Sequence, residues 1–333
     1  MVQIDTDGGQ GWGECSALTE PTYTEEFAAG AFAILDEELA PRLLGHRLDA
    51  PAVLPRLSMV TGNPMAKAAL EMALLDAELT ATGRSLAAHL GARTTSVIAG
   101  AAVGLGLPEA VAERVAALAE EGYGRVKLKI EPGQDVEPLD AVLALGLGIE
   151  IQLDGNGSYG AEHFEHLCDI AASGVAAIEQ PFPPGLVGPA ANLVDRSSVP
   201  IVADEGATSL RTIGELHRAR ALSGVSIKPP RLGGILAAVE IHDRCLDWDL
   251  AATAGGMVET GLGRHALAAT AALPGFTLTG DLSPSRRWLA ADPWPDLSMV
   301  DGVIEVPSNP GVAPDPDPDL LERYSIGRID LWA

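Results

Sequence analysis

The chain has few basic residues and few cysteines, and these shortages exclude several classes of protein. It carries 22 Lys and Arg residues against 46 Asp and Glu residues, which gives a formal net charge of −24. Because nucleic-acid binding requires a basic face, this charge argues against a nucleic-acid partner. The three cysteines, Cys15, Cys168 and Cys245, have neither zinc-site spacing nor a disulfide framework, so they predict a reducing cytoplasm.

The chain also lacks long apolar runs and the features of a secretion signal. No uninterrupted run approaches 18 apolar residues, so we expect no membrane span. Residues 1–7 contain neither the basic region nor the apolar region of a signal peptide. A hydrophobic content of 47% with 20% charged residues is typical of a globular protein.

Five charged residues recur at almost constant intervals in the middle of the chain. Lys129, Asp154, Glu179, Asp204 and Lys228 are separated by 25, 25, 25 and 24 residues. Each lies at or near the end of a short apolar run, which is typical of a buried parallel strand. The interval accommodates one strand, one helix and two loops. The pattern therefore predicts a (β/α)8 barrel of the TIM type, with all five charges in one mouth.

The rest of the chain predicts a second, smaller unit around this barrel. We expect the barrel over residues 94–304. Residues 1–93 are mostly helical in pattern and lack the strand–helix rhythm, so they predict a capping domain. Residues 305–333 are rich in Pro and Asp before an apolar end, and we expect them to return to that domain. The predicted fold class is α/β, a barrel with an α+β capping domain formed by both ends of the chain.

Individual elements follow from capping residues and apolar runs. In the capping region, Thr24 and Pro64 predict the starts of helices that end near Leu39 and Gly83. In the barrel, residues 96–104 predict the first strand. The last two strands are expected at residues 250–253 and 276–279.

Three of the spaced residues are carboxylates with the chemistry of a metal site. Asp154, Glu179 and Asp204 offer hard oxygen ligands, which suit Mg²⁺ or Mn²⁺ and not zinc. Alternatively, each could cap the helix that follows it. Their equal spacing on consecutive strands favours the metal site. Asn156 either hydrogen-bonds this site or serves as a turn residue in Asp-Gly-Asn-Gly, and the sequence leaves both readings open.

The lysines predict proton transfer. Lys127 and Lys129 share one face of a strand that should be central, so both must meet carboxylates or substrate. Lys129, nearer the mouth, is the candidate base, and Lys127 is expected to lower its pKa by like-charge repulsion. Lys228 approaches from across the barrel. A metal can stabilise the charge that forms when a proton leaves the carbon next to a carboxylate, and a lysine can take that proton. Racemisation and elimination both remain possible.

Two glycine-rich segments are expected at the same mouth. Arg231 precedes Gly233-Gly234, and residues 255–264 include Glu259 and Thr260. Such loops can present backbone N–H groups to an anion, although ordinary barrel turns explain the glycines equally well.

These motifs together resemble the muconate lactonizing subgroup of the enolase superfamily. Within it, the chain is most similar to the group of o-succinylbenzoate synthases and N-succinylamino acid racemases. The resemblance extends in order along nearly the whole chain. It is carried by residues 11–15 (GWGEC), 69–76 (ALEMALLD), 126–133 (VKLKIEPG), 154–159 (DGNGSY), 178–182 (IEQPF), 203–205 (ADE), 227–234 (IKPPRLGG), 255–264 (GGMVETGLGR) and 281–285 (DLSPS).

The resemblance implies roles for these residues. It implies Mg²⁺ on Asp154, Glu179 and Asp204, with Lys129 and Lys228 as the catalytic pair. The supporting residues are Lys127, Asn156, Glu205, Arg231, Glu259 and Thr260. It also implies a small carboxylate substrate and a homo-oligomer.

The family contains more than one reaction, and the sequence does not separate them. In a synthase, Lys129 would remove the α-proton of 2-succinyl-6-hydroxy-2,4-cyclohexadiene-1-carboxylate. Hydroxide would then leave to give the 2-succinylbenzoate of menaquinone biosynthesis, with Lys228 acting mainly as a cation. In an N-acylamino acid racemase or dipeptide epimerase, both lysines would act as acid and base in turn. A muconate cycloisomerase fits the loops less well, and a non-catalytic metal-binding barrel is the alternative from another class.

Two departures from the family pattern stand out. Pro230 replaces a usual glycine after Lys228, and it has neither the flexibility nor the N–H of glycine. In addition, residues 2–8 align with the second strand of the family's capping domain. Either the start site is wrong, or the chain lacks this first strand and the mobile lid loop, and their lack would expose a sheet edge and leave the site wetter.

Overall fold

The computed structural model describes residues 1–332 and contains three sheets. The strands are β1 Val2–Thr6, β2 Gly9–Gly13, β3 Ser96–Ile98, β4 Gly100–Val103, β5 Arg125–Lys129, β6 Glu150–Asp154, β7 Ala177–Glu179, β8 Ile201–Ala203, β9 Gly224–Ile227, β10 Ala251–Ala254, β11 Met299–Val300 and β12 Val303–Glu305.

Helices precede the barrel strands in the capping region and alternate with them afterwards. They are α1 Ala28–Ile34, α2 Ala50–Arg56, α3 Pro64–Ala81, α4 Leu86–Leu90, α5 Pro108–Glu120, α6 Val136–Leu143, α7 Phe164–Ala171, α8 Val187–Arg196, α9 Leu210–Arg218, α10 Pro229–Leu232, α11 Ile235–Asp247, α12 Gly261–Ala271 and α13 Pro318–Tyr324.

The predicted barrel is present as a curled parallel sheet. Within residues 1–332, seven strands pair side by side in chain order from β4 to β10. The eighth strand expected at residues 276–279 does not form a regular strand. This segment still bridges the two edges, because Leu278 N and Asp281 N donate to β10 while Gly100 N donates to Leu282 O. The barrel is therefore closed by individual hydrogen bonds and not by a regular eighth strand.

The predicted first strand is divided in two. Residues 96–98 form β3, which pairs antiparallel with β12 outside the barrel, and residues 100–103 form β4 of the barrel sheet. Ala99 lies between them and is fully buried. One apolar run therefore contributes a strand to each of two sheets, and apolar content alone does not show where such a run divides.

The capping region is organised around the long helix α3. The β1–β2 hairpin lies against it, and the close approach requires glycine. A Cβ at Gly11 would lie 2.1 Å from Ala73 O, and one at Gly13 would lie 1.8 Å from Ala69 O. The helix predicted over residues 24–39 is shorter than expected, since α1 begins only at Ala28 and passes into a π-helical turn at residues 35–39.

Part of the C-terminal segment contacts the capping region. Strands β11 and β12 extend the β3 sheet, and Val312 N donates to Asp76 of α3 at 2.6 Å. Beyond α13, Ile326 is fully exposed and Trp332 is 81% exposed. The apolar end of the tail is therefore not packed on the domain.

No helix among the described residues is both long and apolar enough to cross a membrane.

Candidate active site

The spaced charges lie at the carboxyl ends of five neighbouring strands. Lys129, Asp154 and Glu179 are the last residues of β5, β6 and β7, and they are register partners in that order. Asp204 directly follows β8, and Lys228 directly follows β9. Because parallel strands present their carboxyl ends at one edge, the sheet brings all five side chains to one mouth.

Lys127 and Lys129 both pair with the Asp154 carboxylate, Lys129 at the mouth of the barrel and Lys127 one layer deeper. Lys129 Nζ donates to Asp154 Oδ2 at 2.7 Å, and its side chain is 33% exposed. Lys127 is buried, with Nζ 2.9 Å from Glu179 Oε2 and 3.5 Å from Asp154 Oδ2. Its third partner is Asp281 Oδ2 at 2.7 Å. Three carboxylates therefore surround the buried ammonium of Lys127.

Asp204 is the centre of a second cluster. Its Oδ2 accepts from Lys228 Nζ and from the Tyr23 hydroxyl, each at 2.7 Å, while Arg231 bonds Oδ1 and the backbone carbonyl. Lys228 Nζ also lies 2.8 Å from Tyr23 Oη. The Lys228 side chain is only 7% exposed. Tyr23 belongs to the capping region, so both domains build this cluster.

The pKa values in this cluster follow from burial and neighbouring charge. Burial raises the pKa of Glu179 to about 7 although Lys127 lowers it, and Asp154 and Asp204 raise it further. Burial also raises the pKa of Asp204, but Lys228 and Arg231 outweigh burial and hold it at about 2. Burial lowers the pKa of Lys228, yet Asp204 holds it well above its ordinary value.

Two polar residues after the strands fix the acidic loops. Asn156 accepts from Lys129 at 2.5 Å and donates to Glu205 Oε1 at 2.8 Å. Gln180 accepts from the backbone N–H groups of Asp204 and Gly206 at 2.9 and 3.0 Å. Both have positive φ, 42° for Asn156 and 36° for Gln180, which is uncommon outside glycine. Asn156 is both a turn residue and a partner of the site.

Other predicted supporting residues lie in the surrounding loops. Glu259 accepts from Met257 N at 2.7 Å and pairs with Arg264 at 2.8 Å, while Thr260 donates to Glu14 at 2.8 Å. Within residues 1–332, neither side chain hydrogen-bonds the lysines or carboxylates of the mouth, and both residues lie between β10 and α12. Pro230 is accommodated because it lies in the first turn of α10, where an N–H has no intrahelical partner.

Two residues of the cluster were not predicted from the sequence. Asp281 bonds Lys127 and also Arg125, the latter at 2.6 Å. It follows the predicted eighth strand, so its place at a strand end was an available signal. Tyr23 lies in a loop without regular structure, about 180 residues before Asp204, and local sequence gives no sign of their contact.

The carboxylates have the chemistry of a divalent cation site. Glu179 Oε1 is buried and has no hydrogen-bond partner in residues 1–332, which leaves one oxygen free to bind. As the side chains lie, no three acidic, histidine or cysteine groups of the described chain converge as a ready metal site. The cations lie against the carboxylates instead. The donor set fits Mg²⁺, which Asp154, Glu179 and Asp204 would hold.

Lysine is scarce in this chain and concentrated here. The sequence contains four lysines, Lys67, Lys127, Lys129 and Lys228, and three of them lie in this mouth. Two of those three are buried. Since buried charge must be paired to be tolerated, this concentration indicates a chemical rather than a solvating role.

Comparison with known proteins agrees with this architecture. Residues 1–91 match the mandelate racemase/muconate lactonizing enzyme N-terminal domain, and residues 110–320 match the enolase C-terminal domain-like family. The chain is 40% identical to an N-succinylamino acid racemase from Amycolatopsis sp, over 99% of this chain and 90% of that protein. It is 35% identical to the o-succinylbenzoate synthase of Bacillus subtilis strain 168, over 99% and 89%.

Solved structures show the same similarity. An enolase superfamily member from Listeria innocua Clip11262 superposes with a TM-score of 0.92 at 32% identity, over 97% of this chain and 88% of that chain. The muconate lactonizing enzyme from Klebsiella pneumoniae superposes with a TM-score of 0.90 at 26% identity, over 98% and 94%. From its sequence, its two domain matches and its fold, the chain belongs to the enolase superfamily.

Proposed function

We propose that the protein is an o-succinylbenzoate synthase. It would dehydrate 2-succinyl-6-hydroxy-2,4-cyclohexadiene-1-carboxylate to 2-succinylbenzoate, a step of menaquinone biosynthesis in the cytoplasm. The observation that carries the proposal is the asymmetry of the two lysines. Lys129 is one-third exposed, whereas Lys228 is buried and bonded by Asp204 and Tyr23. A dehydration needs one accessible base and one fixed cation, and Lys129 and Lys228 have these two properties.

Lys129 is the proposed base. Its Nζ lies at the mouth on Asp154 and Asn156, where the α-carbon of a bound carboxylate substrate can approach it. Geometry of this kind is the first requirement for proton abstraction. Lys127 lies one layer deeper, is neutralised by three carboxylates, and is assigned the role of holding Glu179 and Asp281 in place.

Lys228 and Arg231 are the proposed fixed cations. Both are buried, and both bond Asp204. Positive groups that are already oriented stabilise negative charge without reorganisation when a proton leaves the substrate. Lys228 would therefore stabilise the anionic form of the substrate. Arg231 would hold the Asp204 carboxylate, and through it the Lys228 ammonium, in position.

Asp154, Glu179 and Asp204 would hold the metal, Mg²⁺ with Mn²⁺ as a substitute. The bound ion would supply a positive charge that stabilises the substrate carboxylate as charge builds on it. Asn156 and Glu205 would support this site, because their mutual hydrogen bond connects the loops after β6 and β8.

A second candidate is N-succinylamino acid racemase, or another acylamino acid racemase or epimerase. The name of the Amycolatopsis relative, at 40% identity, favours it. So does the presence of a lysine on each side of the carboxylates. Racemisation requires Lys228 to give and take a proton, and its burial against Asp204 and Tyr23 makes this the harder role.

The experiment is an ultraviolet assay of cyclohexadiene loss with Mg²⁺, beside deuterium exchange at the α-carbon of an N-succinylamino acid. We expect metal-dependent loss that disappears in Lys129→Ala and after treatment with EDTA. Lys67→Ala is the matched control, since Lys67 lies in α3 of the capping domain and donates to a backbone carbonyl of that domain. Deuterium exchange without loss of the cyclohexadiene would reject the synthase and favour the racemase. If the folded protein catalyses neither reaction, both proposals are rejected.

A further inference from the structure

A loop of the capping domain carries Tyr23 into the candidate site. This loop, residues 14–26, follows β2 and contains no helix or strand. Residues 19–22 are exposed, whereas Tyr23 is half-buried with its hydroxyl on Asp204 and Lys228. An irregular exposed segment has no helical or sheet hydrogen bonds that fix its backbone. Its position therefore depends on how its ends are anchored.

The first end of the loop is anchored to the barrel by a buried carboxylate. Glu14 is 4% exposed. Its carboxylate accepts from Thr260 N and Thr260 Oγ1, each at 2.8 Å, and from Gly263 N at 2.9 Å. These donors belong to the start of α12, where N–H groups have no intrahelical partner. Glu14 satisfies two of them and joins the capping domain to the helix that follows β10.

The second end is anchored within the capping domain. Glu26 is buried, and its carboxylate accepts from Met65 N at 2.8 Å and from Ala66 N at 3.1 Å, in the first turn of α3. The loop is thus held at both ends by a glutamate on a helix N-terminus. Of these two glutamates, Glu14 is the one that contacts the barrel. The loop also contacts the barrel through the Tyr23 hydroxyl, which bonds Asp204, Lys228 and Arg231.

Glu14 also bonds the end of a second loop that reaches Lys228. Thr260 ends the glycine-rich loop after β10, and this loop begins at Gly255, which lies against Lys228. A Cβ at Gly255 would lie 2.6 Å from Lys228 Cγ. Glu14 therefore joins two loops that reach the same lysine, one through Tyr23 and one through Gly255.

We propose that Glu14 is a positioning residue for the reaction. By anchoring residues 14–26 to the start of α12, it holds the Tyr23 hydroxyl on Lys228 and Asp204. The inference rests on the proposed function for its effect on catalysis, and its effect on the loop is independent of which reaction the site performs.

The test compares Glu14→Ala and Glu14→Gln with a matched control, Glu78→Ala. Glu78 also accepts from a helix N-terminus, Ala50 N at 2.9 Å, but this contact lies within the capping domain. Hydrogen exchange is followed in peptides that cover residues 14–27 and 257–265. We expect faster exchange in both peptides for Glu14→Ala, a smaller change for Glu14→Gln, which keeps one acceptor oxygen, and no change there for Glu78→Ala.

Kinetics then separate positioning from mere stability. We expect Glu14→Ala to lower kcat/KM about tenfold or more, and Tyr23→Phe to do the same alone. Combining them should add little further loss, because Glu14 is proposed to act through the Tyr23 hydroxyl. The proposal would be overturned if the two substitutions lowered kcat/KM independently, so that their factors multiplied in the double variant. It would also be overturned if Glu14→Ala had a normal kcat/KM despite faster hydrogen exchange. Unchanged exchange in residues 14–27 would overturn it whatever the activity, whereas an inactive wild-type protein would count against the proposed function alone.

Discussion

Asp281 shows how a single residue can hold two buried cations. It lies 2.6 Å from Arg125 and 2.7 Å from Lys127, and the side chains of both partners are at most 3% exposed. Burial raises the pKa of Asp281, but Lys127 and Arg125 outweigh it and hold this pKa well below its usual range. The carboxylate thus stays ionised and compensates the cations beneath the mouth of the barrel.

We predict that Asp281→Asn lowers the free energy of unfolding by about 3–5 kcal/mol, since it removes a charged partner that two buried cations share. Chemical denaturation at neutral pH measures the change. Asp247→Asn is the control, because the Arg244–Asp247 pair is exposed and such pairs contribute about 0–1 kcal/mol. Equal effects of the two substitutions would contradict the role assigned to Asp281.

At the scale of the elements, the contact between β9 and β10 determines the path of the Lys228 side chain. Gly255 directly follows β10, and a Cβ there would lie 2.5 Å from Ser226 Oγ and 2.6 Å from Lys228 Cγ. Both neighbours are buried and cannot move freely. Glycine is required at this position because the two strand ends approach so closely.

We predict that Gly255→Ala displaces Lys228 and lowers kcat about tenfold or more, with a loss of stability of about 1–3 kcal/mol from overpacking. Steady-state kinetics and thermal unfolding measure both effects. Gly188→Ala is the matched control, because a Cβ at Gly188 in α8 meets nothing within 4 Å and alanine favours a helix. Full activity in Gly255→Ala would show that Lys228 does not depend on this space.

The elements also show what could be predicted from sequence and what could not. The ends of β5 to β9 were predictable because each apolar run stops at a charged residue, and the interval repeats. The division of residues 96–103 between two sheets was not, since both strands are apolar and only Ala99 separates them. The place of Tyr23 could not be predicted, because tertiary docking of an irregular loop determines it.

At the scale of the whole molecule, buried carboxylates join the two domains. Glu71 of α3 is 1% exposed and accepts from Ile235 N and Leu236 N, at 3.1 and 2.8 Å, in the first turn of α11. Burial raises its pKa from 4.5 to about 7, although these two donors lower it. The pKa of Glu14, at the other contact between the domains, is raised by burial to about 7 as well.

These raised pKa values determine the sign of the pH dependence. The folded protein binds the Glu71 proton more tightly than the unfolded chain, so the contribution to stability is full below pH 4.5 and is lost as the pH rises to about 7. For one such group, the loss between these limits is about 3 kcal/mol. The docking of the capping domain on the barrel should therefore weaken as the pH rises from acidic to neutral.

We predict that Glu71→Gln reduces the decrease in unfolding free energy between pH 5 and pH 8 by about 2–3 kcal/mol, because glutamine keeps an acceptor oxygen for α11 and does not ionise. Urea denaturation at pH 5, 6, 7 and 8 measures the dependence. Glu240→Gln, an exposed residue of α11, should leave it unchanged. If Glu71→Gln has the same pH dependence as the wild-type protein, Glu71 is ionised throughout this range, and the two donors of α11 outweigh its burial.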